Sequence, residues 1–218
     1  MRRVCFPVIL LVSIMLASVS YATITNVTDE ASWQSMVGAW SEVGFEGFLG
    51  PVNNQYSGVT FAPFHGGSPY SAAIFPLDGQ NSMFTVVPMS AGDGGWAADF
   101  TTPVQAVAFW SFGVQSAFST VQLFDTNNSL LADVGLLASG SGHGAFSYGF
   151  NGFVSSSLDI SRIQVAISGP DLPAGDAVWF DNFQFSPTPQ TAVPEPATLL
   201  LFASGLVAVV PFWRFRKG

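Results

Sequence analysis

The sequence predicts an all-β sandwich preceded by one short helix. Short segments rich in Val and Phe recur from Val43 onward, each bounded by Gly, Pro, Asn, Asp or Ser, at the spacing of a sandwich. Ile163, Val165 and Ile167 alternate with Arg162, Gln164 and Ala166, the period of a half-buried strand. Twenty-one phenylalanines supply bulk for a core between two sheets, and twenty-two glycines supply turns.

The elements follow in chain order. Residues 23–28 read as a lead-in. Residues 29–40 read as a helix with Thr28 as N-cap and Asp29 and Glu30 in the first turn. Trp33, Met36, Val37 and Trp40 recur at i, i+3, i+4 and i+7, a stripe expected to pack on a sheet, with a sugar-binding face as the alternative. Strands are expected at 43–48, 57–64, 71–75, 82–87, 95–101, 104–113, 118–125, 129–136, 144–150, 161–168 and 177–185. Asp125 to Asn128 form a turn between two of them. Pro103 fits between strands, where its missing N–H does no harm. Gly92-Asp93-Gly94-Gly95 reads as a tight turn, not a phosphate cradle, because no lysine follows it.

The extremities differ from the body. Arg2 and Arg3 precede an apolar run from Val4 to Val19, and Ser20-Tyr21-Ala22 fits signal peptidase, so 1–22 is expected to be removed after Ala22. Cys5 lies in the removed part, so the mature chain is expected to lack cysteine and disulfides. At the other end a Pro-rich linker, 187–196, precedes an apolar run at 197–213, at the short end of what spans a bilayer as a helix. Ser204, Gly205 and Pro211 are tolerated in such helices. Arg214, Arg216 and Lys217 form a basic tail, 214–218, expected on the cytoplasmic side.

Between these ends, residues 23–186 form one domain. Of the fourteen acids thirteen lie in 23–193, and of the six lysines and arginines only Arg162 does, a formal charge of −12 with no lysine. No basic patch can be built, which excludes nucleic acid as a partner. The surplus favours solubility and capture of divalent cations.

Val193-Pro194-Glu195-Pro196, the apolar run and Arg214-Phe215-Arg216-Lys217 closely resemble the PEP-CTERM sorting signal of Gram-negative bacteria. The resemblance covers about the last twenty-five residues. It implies transient anchoring in the inner membrane, handling by exosortase, and association with exopolysaccharide and biofilm matrix. Glu195 is then part of a recognition element rather than a catalytic acid. Within the body, Phe45-Glu46-Gly47 with Asn54 to Phe61, and Asp99-Phe100 leading into Ala106 to Phe109, resemble other exported domains of this kind. Val178 to Phe185 is similar to the last strand of jelly-roll modules related to carbohydrate-binding domains.

That resemblance implies a jelly-roll-like sandwich and a structural calcium shared by Glu46 and Asp181, with Asn182, Asp176 and Asp99 as weaker helpers. Buried carboxylates need a cation, a proton or several donors, and one arginine cannot serve them all. The alternative is that both face solvent. Tyr70 and Tyr148, in or near loops, are the best candidates for sugar stacking, ahead of Tyr56, Trp96, Trp110 and Trp179. His65 and His143 sit in Gly-rich loops and read as turn residues. There is no HExxH, no GxSxG around a serine, and no cysteine in the body. The expected function is therefore a non-catalytic, glycan-associated surface or matrix protein, processed by signal peptidase and exosortase. A secreted hydrolase or lyase using a carboxylate pair is the alternative.

Overall fold

The computed structural model describes residues 22–73, 76–77, 79–86, 93–114, 119–137, 148–168 and 177–186. Residues 1–21 of the leader, the linker with its Pro-Glu-Pro, the 197–213 run, the basic tail, His143 and Asp176 lie outside these residues. Among the described residues no helix is long and apolar enough to cross a membrane.

The chain forms strand β1 (Ile24–Val27), helix α1 (Glu30–Val37), and then β2 (Ser41–Val43), β3 (Gly50–Pro51), β4 (Val59–Pro63), β5 (Tyr70–Ala72) and β6 (Ser82–Val86). There follow β7 (Asp93–Val104), β8 (Ala106–Phe112), β9 (Thr120–Phe124), β10 (Leu130–Gly135), β11 (Tyr148–Ser155), β12 (Ile160–Ser168) and β13 (Ala177–Ser186). An eight-stranded sheet runs β1-β11-β8-β13-β6-β5-β3, with β2 also paired to β13. A five-stranded sheet runs β10-β9-β12-β7-β4. Every pairing is antiparallel. The expected jelly-roll-like sandwich with one short helix is what the chain adopts.

Apolar residues from the inner faces of both sheets meet in one cluster. Trp96 sits at its centre with no exposed surface, its ring 5.2–5.9 Å from those of Phe61, Phe109, Phe180 and Phe183. A smaller cluster lies on the outside of the eight-stranded sheet, where Trp33 and Val37 of α1 cover Ala106, Ala108, Phe150 and Val154. Small residues let the helix come close. A Cβ at Gly152 would stand 2.7 Å from Trp33 Cδ1. Trp33 is fully buried and its indole N–H donates to Phe153 O at 3.3 Å. Its burial contributes at most about 5 kcal/mol.

Several boundaries differ from expectation. The N-cap is Asp29, not Thr28: its carboxylate accepts from Ser32 N at 2.8 Å. The helix ends at Gly38 (φ 73), which leaves Trp40 outside it and 39% exposed, though still edge-on to Trp33 at 6.4 Å. The lead-in forms β1, paired with β11. Of the strand expected at 43–48 only Val43 lies in one, as the last residue of β2, because Phe45 (φ 59) and Gly47 (φ 72) turn the chain. Pro103 lies inside β7, next to the register shift between Ile160 and Arg162 on its partner β12. Irregular pairing at this end accommodates its missing donor. Residues 93–95 begin β7 and are not a turn.

Candidate functional site

The outer faces of the two sheets carry different chemistry. On the five-stranded sheet, Thr60, Asp99, Arg162 and Phe124 stand directly opposite one another on adjacent strands, as do Gln164, Gln122 and Asp133. Arg162 Nε lies 3.4 Å from Asp99 Oδ1, and Gln122 donates to Asp133 at 3.0 Å. This is a solvated face.

The eight-stranded sheet is aromatic on its outside. Tyr148 on β11 pairs with Phe112 on β8, and Phe112 with Trp179 on β13. Trp179 pairs with Phe84 on β6, and Phe84 with Tyr70 on β5. Directly opposed residues share a face, so five aromatic side chains form one line across five neighbouring strands. Strand spacing makes that line about 19 Å long. The Tyr148 ring stacks on Phe112 at 4.6 Å, Phe112 meets Trp179 edge-on at 5.9 Å, and Tyr70 lies 5.6 Å from Phe84. The end residues are the open ones, Tyr148 at 37% and Tyr70 at 41% exposed. Trp179 and Phe84 are half-buried and Phe112 is buried.

A bulge in β13 sets which of its side chains face outward. Asp181 pairs with Trp110 and Gln184 with Ala108. The chain thus spends three residue steps on β13, from Asp181 to Gln184, where β8 spends two, from Trp110 to Ala108. The extra residue falls beside Asn182, whose φ is 46. Phe180 and Phe183 can therefore both enter the core, while Trp179, Asp181, Gln184 and Ser186 share the outer face.

The described residues of the connection between β5 and β6, 73, 76–77 and 79–81, include a strap held against this face. Tyr148 Oη donates to Pro76 O at 3.2 Å. Leu77 N donates to Asp181 Oδ2 at 2.7 Å, and Asn182 N to Asp181 Oδ1 at 2.9 Å. Gln80 N and Asn81 N donate to Glu46 Oε1 at 2.8 and 3.0 Å. Asp181 is buried and Glu46 exposed. The described residues of the strap thus touch the end of the aromatic line at Tyr148 and the outer face of β13 at Asp181. Burial, and then the Asp181 charge, raise the Tyr148 phenol above its usual range; burial, and then Glu46, do the same to Tyr56.

The structure brings Glu46 and Asp181 to the same strap, each compensated by backbone N–H donors. Among the described residues no group of three or more His, Cys, Asp or Glu side chains gathers. Asp99 is on the far sheet with Arg162, so it does not join them. Tyr70 and Tyr148 bracket the aromatic line and Trp179 lies within it. Trp96 is core, Tyr56 packs edge-on to Phe45 and Phe61, and Trp110 packs on Phe150 beside α1. His65 is exposed in a turn with its ring stacked on Phe64. Phe84 and Phe112 escape sequence reasoning, because only strand register distinguishes them from core phenylalanines.

No curated protein matches the chain. Among solved structures, a family 29 carbohydrate-binding module complexed with mannohexaose is similar over 67% of this chain and 90% of that one, at 9% identity and TM-score 0.41. The xylan-binding CBM22-1 domain of Paenibacillus barcinonensis Xyn10C is similar over 64% and 92%, at 16% identity and TM-score 0.40. The tandem CBM22 pair of the same protein is similar over 73% and 48%, at 16% identity and TM-score 0.45. At these values no ligand carries over to this chain. Residues 192–217 match the model of the PEP-CTERM protein-sorting motif. The chain therefore carries a PEP-CTERM sorting signal, which implies export, a transient membrane anchor and exosortase processing.

Proposed function

We propose that the exported body is a non-catalytic glycan-binding module of the cell surface or extracellular polysaccharide matrix. The observation that carries this is the line of five aromatic residues in direct register on an outer sheet face. The flat faces of sugar rings present polarised C–H groups, which suit the negative faces of aromatic rings. A line crossing several strands suits a chain of sugars rather than a single one. The strap's carbonyl at Pro76 holds the Tyr148 hydroxyl, which fixes the ring at that end of the line. The enzyme alternative gains nothing from Glu46 and Asp181, whose carboxylates receive the strap amides.

The test is affinity electrophoresis of the full chain, purified in mild detergent, through gels containing soluble polysaccharides. Tyr70→Ala and Tyr148→Ala remove open rings at either end of the line. Each is expected to weaken retardation about tenfold, a loss of about 1.4 kcal/mol. Circular dichroism checks that both variants fold. Unchanged retardation in both variants would move the site elsewhere, and hydrolysis of the polymer would favour the enzyme.

A further inference from the structure

We infer that the glycan is uncharged, an inference that rests on the glycan-binding reading above. Three observations point the same way. First, Arg162 is the only lysine or arginine among the described residues, and it lies on the outer face of the opposite sheet, beside Asp99. Nothing described near the aromatic line can neutralise a uronate or a sulfate. Second, the nearest ionisable group along β13 is an acid. Asp181 follows Trp179 by two residues on the same face, and its charge reaches the Tyr148 phenol at the end of the line. Third, three of the described backbone donors of the strap are already used. Leu77 N, Gln80 N and Asn81 N point at Asp181 and Glu46, so the protein's own carboxylates occupy the N–H groups that an anionic ligand would need.

In the calcium-free protein an anionic polymer would therefore meet acid with none of these three donors free to compensate it, and like charges brought together oppose binding. A neutral polymer meets the open rings of Tyr70 and Tyr148 and the half-buried Trp179 and Phe84 without that opposition. The formal charge of −12 over residues 23–193 adds a long-range field of the same sign.

The full chain in mild detergent is run in affinity gels with a chelator present, which prevents divalent cations from bridging acid to acid. One set of gels holds neutral polymers, a soluble β-glucan, an arabinoxylan free of uronic acid and a glucomannan. The other holds polyuronates, alginate and polygalacturonate. The inference expects retardation by at least one neutral polymer, little changed by added salt, and affinity for polyuronates lower by about tenfold or more. Equal or stronger retardation by a polyuronate, lost as Tyr70 and Tyr148 are replaced by alanine, would overturn it while leaving glycan binding intact. Retardation by neither set would overturn both readings.

Discussion

Gly79 is a position among the described residues at which the strap can be broken. Its φ is 65, and a Cβ added there would overlap Glu46 Oε1 and stand 2.5 Å from Glu46 Cδ. Gly79→Ala therefore has two costs. The left-handed backbone costs alanine about 1–2 kcal/mol. The Glu46 carboxylate must also swing away from Gln80 N and Asn81 N, and because it is exposed this adds only about 1 kcal/mol. The sum, about 2–3 kcal/mol, should lower the melting temperature by roughly 5–10 °C for a domain of this size. Thermal melting followed by circular dichroism measures it. In a Glu46→Ala background the obstacle is gone, so Gly79→Ala should cost only the backbone part. A double-mutant cycle should then show a coupling of about 1 kcal/mol. Strict additivity, or a Gly79→Ala variant as stable as the parent, would refute the clasp between Glu46 and the strap.

Three further outcomes are expected. Tyr56 and Tyr148 have phenols raised by burial, so their contribution to stability is complete below the unfolded phenol range near ~10 and is lost as pH rises through the higher folded values. Tyr148→Phe should flatten the alkaline limb of a stability–pH profile, and an unchanged limb would contradict the assignment. Calcium shared by Glu46 and Asp181 is a proposal with a direct check: chelator should lower the melting temperature and added calcium restore it, whereas no shift and metal-free elemental analysis would remove it. The intact mass of the surface form should lack residues 1–22 and the basic tail, and retention of Arg214 to Gly218 would defeat the processing claim.

The sandwich is legible in the sequence because its strands announce themselves locally. Ile163, Val165 and Ile167 alternate with Arg162, Gln164 and Ala166 in sequence and are buried in the structure. The helix stripe predicts the burial of Trp33 and Val37. Local signals fail where the backbone leaves ordinary conformations: Phe45 reads as strand but turns with positive φ, and nothing near Asn182 announces a bulge. The candidate site is legible only at its ends. Tyr70 and Tyr148 stand out because loop-side tyrosines tend to be open. Phe84 and Phe112 do not, because the line joins residues distant in sequence and exists only through the pairing of β5, β6, β13, β8 and β11. Glu46 and Asp181 are linked by resemblance alone, and the strap amides that hold them come from a connection with no motif.

Because each ring of the aromatic line comes from a different strand, no peptide or single hairpin excised from this protein could reproduce the surface. Ligand retention would therefore report on an intact sheet: a variant that frays one strand would lose grip on its polymer before it lost its overall secondary structure.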